Sequence, residues 1–131
     1  MCLTVRKNAH FKIAKKDIVV YKVIEKVPFG LRTPFQLSPI AIGETYRESG
    51  INVTFREVNT GLHSFCRLRS AKKLCEKMIL QNKSLWHVDK CEYMVVKCII
   101  PKGSMYIKGR VNGEYFEKGY VSDALTYVKV I

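Results

Sequence analysis

Hydrophobic and polar positions alternate with two different periods along this chain, and the two periods divide it into strands and one helix. Asp17 to Lys26 (DIVVYKVIEK) is dense in β-branched residues and predicts a strand, buried on both faces for part of its length. Tyr93 to Ile100 (YMVVKCII) predicts a second strand, apolar enough to be central in its sheet, and Ala124 to Ile131 a closing one. Leu3 to Arg6 and Ala41 to Tyr46 are shorter candidates. Ile51 to Phe55 alternates cleanly, with Ile51, Val53 and Phe55 on one side and Asn52 and Thr54 on the other. Met105 to Lys108 and Glu114 to Glu117 predict a hairpin closed by Asn112-Gly113. Pro28, Gly30 and Pro34 make Val27 to Pro39 read as a loop, and Gln81 to Lys90, with Trp86 and His87, as a connector.

The period changes once. Leu68, Ala71, Leu74, Cys75, Met78 and Ile79 recur at helical spacing and predict an amphipathic helix over roughly Leu68 to Gln81. Together these elements describe a single domain spanning 1–131 of the α+β class. The expectation is about six or seven mostly antiparallel strands, as a twisted sheet or partly open barrel, with one main helix.

Composition narrows the class further. A hydrophobic fraction of 47% excludes a disordered or fibrous chain, and no apolar run approaches the roughly 18 residues of a membrane helix. The N-terminus, Met1 to Lys7, lacks the apolar core of a secretion signal, so the expectation is a cytoplasmic protein without a membrane partner. Five cysteines occur (Cys2, Cys66, Cys75, Cys91, Cys98), none in a CxxC pair, and they read as free thiols rather than metal ligands. His10 and His87 form no metal-ligand spacing. No metal and no cofactor are expected.

Charge changes the picture most. Lys and Arg number 23 against 11 Asp and Glu, a formal +12, which favours anionic partners such as nucleotides, nucleic acid or an acidic protein surface. The chemistry-bearing stretch is Asn59-Thr60-Gly61-Leu62-His63-Ser64-Phe65. A glycine free to take positive φ is expected to deliver His63 and Ser64 to the start of the helix. Adjacent strand residues point to opposite faces, so these two are not expected to form a nucleophilic dyad. Arg67, Arg69, Lys72 and Lys73 crowd the first turn, where cations oppose the helix dipole and a bound anion would relieve them. No Walker loop or GxGxxG is present. With Tyr21 and Lys22 from the first long strand, His63, Ser64, Arg67, Arg69, Lys72 and Lys73 are the candidate ligand-binding set, with no catalytic residue assigned. Tyr106-Ile107-Lys108-Gly109-Arg110 and Tyr115-Phe116-Glu117-Lys118 interleave aromatic and basic residues, as single-strand nucleic-acid binders do, and also as hairpins that pack on themselves.

From Ile18 onward, the order of these motifs resembles small uncharacterised proteins common in bacteriophages and prophages of gut bacteria. The matching segments are Tyr-Lys on the first strand, Ile-Gly-Glu-Thr-Tyr, Gly-Leu-His-Ser-Phe with its helix, and Val-Val-Lys-Cys-Ile-Ile-Pro-Lys-Gly-Ser. The resemblance implies a phage-type accessory protein acting in a host cytoplasm, and no particular activity. The order is also similar, more distantly, to the ADP-ribosyltransferase core. Tyr21-Lys22-Val23 stands at that family's Tyr-Arg-Gly, His63-Ser64-Phe65 at its Ser-Thr-Ser, and Pro101-Lys102-Gly103 at its Pro-x-Gly turn. Lys22 replaces the forked arginine that holds the NAD phosphates, and only Asp123 falls near the catalytic glutamate. Three functions follow as expectations. The first is non-enzymatic binding of a nucleotide or nucleic acid through a basic face. The second is a degenerate transferase-like enzyme using Tyr21, His63, Ser64 and Asp123. The third is an adaptor docking an acidic host protein.

Overall fold

A computed structural model describes residues 3–6, 9–34, 37–54, 56–83, 92–111 and 117–131. In it thirteen strands form one antiparallel sheet beside a single helix, so the chain is mostly β, not an α+β domain of six or seven strands. The strands are β1 (Leu3–Thr4), β2 (Lys12–Ile13), β3 (Ile18–Val27), β4 (Gly30–Arg32), β5 (Pro39–Ile40), β6 (Thr45–Arg47) and β7 (Asn52–Thr54). They continue through β8 (Glu57–Thr60), β9 (Leu62–Phe65), helix α1 (Leu68–Lys83), β10 (Glu92–Ile100), β11 (Met105–Val111), β12 (Lys118–Ser122) and β13 (Ala124–Val130). The long strands β3, β10 and β13 and the helix lie where periodicity predicts them. The surplus consists of short pieces. β4 and β5 occupy the predicted Val27–Pro39 loop, and β8 and β9 bracket Gly61. Segments of two to four residues are too short to carry a period, and they become strands only because a neighbour offers them a ladder. The predicted Asn112-Gly113 turn, the segment 114–116, Phe55, Trp86, His87, Cys2 and Cys91 lie outside the described residues.

The sheet runs β6-β13-β10-β3-β9-β12-β11-β1-β8-β7. Its most extensive pairing joins β3 and β10, from Glu92↔Lys26 to Ile100↔Ile18. A single pair, Tyr21↔Phe65, joins β3 to β9 and so connects the two halves. Residues alternate between the faces. On one face, Val20, Ile24, Val96, Cys98, Ile100, Leu125 and Tyr127 form the main core, with Ala14 and Ile40 packed over them. On the other, Val23, Phe65 and Val95 meet Ala71 and Cys75 of α1, as the stripe predicts. Full burial of each large apolar side chain stabilises by roughly 1.5–3 kcal/mol. A third cluster (Leu3, Val5, Val58, Ile107, Val121) fills the far end of that second side.

Close packing at this end requires glycine. Gly109 and Gly119 are direct cross-strand partners, and Leu3, 1% exposed, lies over both. A Cβ on Gly109 would stand 2.5 Å from the Thr4 carbonyl oxygen, so the pair is what lets β1 cross so near. Within the core, Glu25 is buried and forms an ion pair with its cross-strand neighbour Arg32. Arg32 in turn stands 5.8 Å from the centre of the Phe29 ring.

Candidate anion-binding face

The eight residues singled out from the sequence do not converge; the sheet divides them. The Gly61 turn leads first into β9 rather than directly into α1, and only then does the helix begin. His63 is therefore a strand residue and caps no helix. Tyr21 packs on the helix side with Phe65 and Ala71. Lys22, next along β3, faces the opposite side with Val20 and Ile24. In β9, Leu62 packs into the main core and Phe65 under the helix, so Ser64 shares the face of Leu62 and His63 that of Phe65.

Arg67, just before α1, and Arg69, Lys72 and Lys73 on it are all exposed, and the first turn of the helix holds no acidic residue of its own. The chain answers that dipole from outside the helix. Glu117, just before β12, accepts a hydrogen bond from the Ser70 hydroxyl and pairs with Lys73 at 3.3 Å. The Ser70 bond, together with Lys73 and Arg69, holds the Glu117 carboxyl below the usual carboxylate range. The anion anticipated at this helix start is thus a residue of the protein. Because its pKa is lowered on folding, Glu117 contributes its stability above the ordinary carboxylate range and loses it as pH falls through the folded value. Glu117→Gln is expected to cost about 1 kcal/mol at neutral pH, with the melting temperatures of variant and wild type converging in acid.

His63 is part-buried. Its Nδ1 lies 3.2 Å from the Gly61 carbonyl oxygen, and its Nε2 is buried without a hydrogen-bond partner. Burial above all, then the Lys22 charge, pushes its pKa below the ordinary histidine value, so the ring is neutral at pH 7. Asp123, the carboxylate that the transferase resemblance brings forward, sits at the corner between β12 and β13. There it accepts a hydrogen bond from the Met105 amide at 3.0 Å, while its own backbone bonds Met105 and Glu48.

A different constellation forms on the face away from the helix. Continuing the Tyr21↔Phe65 register by one residue brings Lys22 beside Ser64; Ser64 pairs with Tyr120, and Tyr120 with Lys108. One row thus reads Lys22, Ser64, Tyr120, Lys108 across β3, β9, β12 and β11. In the adjacent row Cys66 follows β9, its amide bonded to the Lys118 carbonyl at 3.1 Å. The Cys66 thiol and the Tyr120 hydroxyl lie close enough on this face to affect each other's ionisation, with the charges of Lys108 and Lys118 nearby. Lys108 Nζ lies 5.8 Å from the centre of the Tyr120 ring, whose edge contact with Tyr106 spans 5.5 Å between centroids.

At neutral pH every titratable group here is a cation or a neutral donor. Burial raises the Cys66 thiol and pushes Tyr120 up to about 12, so neither carries negative charge. Lys22, half-buried on this face beside Val20 and Ile24 of the main core, is pulled down to about 8 by burial, opposed by the interaction with Cys98. It remains mostly an ammonium at pH 7. Among the described residues of the two rows on these four strands there is no carboxylate; in register the next is Glu57, beyond Arg110 and Thr4. Ser64 is 2% exposed and its Oγ makes no hydrogen bond within the protein. Such an orphan is unusual, because a buried hydroxyl without a partner is destabilising.

Lys22 and Ser64 belong to the set read from the sequence, whereas Cys66, Lys108, Lys118 and Tyr120 join them only through the register. The local signal was the alternation of Tyr106, Lys108 and Arg110 on one side of a strand, matched by Lys118 and Tyr120. Comparison with protein-family models, with curated proteins and with solved structures finds no match to this chain.

Proposed function

We propose that this protein binds an anionic ligand, a nucleotide or nucleic acid, without turning it over. The ligand lies on the β3–β9–β12–β11 face described above. The observation that carries this reading is the Lys22–Ser64–Tyr120–Lys108 row, flanked by Lys118: cations and neutral donors around two half-buried tyrosines, with no carboxylate among them. Lysine meets phosphate as a point charge, and tyrosine offers its ring to a base. The exposed cations of α1 lie on the other side of the sheet and add a long-range attractive field. Binding is preferred to transferase chemistry because Tyr21 and Ser64 occupy opposite faces and the Asp123 carboxylate is engaged by a backbone amide.

The test is fluorescence anisotropy with a labelled single-stranded oligonucleotide at low and moderate salt, beside melting shifts with nucleotides. Lys108→Glu combined with Lys118→Glu is expected to weaken binding at least about tenfold and to flatten its salt dependence. Arg69→Glu with Lys72→Glu is expected to act less, through the field alone. If none of these ligands binds, the reading is wrong, and salt-sensitive capture of an acidic protein becomes the better account of the charge.

A further inference from the structure

We infer that this face receives a terminal phosphate, a phosphomonoester rather than the internal phosphodiester of a polymer, with Ser64 Oγ–H donating to one phosphate oxygen and Lys22 pairing with another. The inference rests on the anionic-ligand reading above and specifies it. Its basis is depth. Ser64 is 2% exposed, and its hydroxyl has no partner in the protein. Lys22 beside it is also partly buried, whereas Lys108 and Lys118 are exposed at the surface. An internal phosphodiester must bring a chain in and take it out again, and has two oxygens free to accept. A terminal phosphate can enter end-on, presents three oxygens, and carries the additional negative charge that a half-buried ammonium would pair with. Tyr120 and Tyr106, half-buried on the same face and packed in part against the main core, then offer their exposed parts to the sugar or base that follows.

Ser64→Ala isolates the claim. It removes only the hydroxyl, and since that hydroxyl has no partner in the protein, the melting temperature should hold or rise. The probe is a short labelled oligothymidylate in three forms: 5′-phosphorylated, 3′-phosphorylated and without a terminal phosphate. Wild type is expected to bind at least one phosphorylated form roughly tenfold more tightly than the unphosphorylated one, the value of one charge-assisted hydrogen bond. Ser64→Ala should erase that difference, bringing the phosphorylated and unphosphorylated forms to the same affinity. Lys22→Met should erase it as well. Equal binding of all three forms by wild type would overturn the inference and leave the broader reading standing, with internal phosphates on Lys108 and Lys118. A terminal-phosphate preference that survives in Ser64→Ala would also overturn it. Failure of every form to bind would remove both.

Discussion

Gly61→Ala is expected to destabilise the protein by about 3–5 kcal/mol, the sum of a backbone and a packing penalty. Gly61 sits between β8 and β9 at φ +120°, a region that residues with a side chain rarely enter. A methyl group there would also overlap Cγ1 of Val121 and stand 3.4 Å from Ile51. Val121 is fully buried in the cluster with Leu3, Val58 and Ile107, so it has no free space into which to turn. The turn also sets the register of β9, and therefore which side His63 and Ser64 face. Chemical denaturation measures the loss, which should appear thermally as a fall on the order of 10 °C for a chain of this size. A loss below about 1 kcal/mol would show that Val121 can yield and that the turn is not held by this packing.

Lys22→Met should have the opposite sign for stability and abolish tight ligand binding. An ammonium whose pKa is depressed to about 8 is held in the folded state at a cost, which a thioether of similar length does not incur. The sign follows from proton binding. Below pH 8 the lysine is charged in both states and the full cost is present. Between pH 8 and the ordinary lysine value of 10.5 the folded state sheds its proton first, and the cost is progressively relieved. Lys22→Met is therefore expected to be more stable than wild type by on the order of 2 kcal/mol at pH 7, with the advantage shrinking through pH 8–10.5. The comparison is made between variant and wild type at each pH, so the buried tyrosines and Cys98 largely cancel. Removing the Lys22 charge should also raise the His63 pKa, which NMR titration of the ring can follow. A variant less stable than wild type at pH 7 would mean that Lys22 holds its place through contacts that outweigh its desolvation.

A gain in stability joined to a loss of binding is what a functional lysine predicts. A lysine kept only for solubility would sit at an exposed position away from this face, as Lys15 and Lys16 do.

Local pattern determined the elements long enough to carry a period: the β-branched runs of β3, β10 and β13, and the apolar stripe of α1 from Leu68 to Ile79. It also determined the need for glycine at position 61 and the excess of positive charge. Strands β1, β7 and β11 also fall on stretches that read as strands. In contrast, β2, β4, β5, β8 and β9 were not legible, because two- to four-residue ladders such as β5 and β9 owe their extended form to a partner distant in sequence. For the same reason the partner of the helix start was out of view: Glu117 reaches Ser70 from 47 residues away. The candidate site divided along the same line. Side-chain alternation along β9 separates His63 from Ser64 by its two-residue period alone, but joining Ser64 to Lys22, Tyr120 and Lys108 requires the register of four strands. Register is set by turn geometry and by which faces are buried together, and those are properties of the assembled sheet.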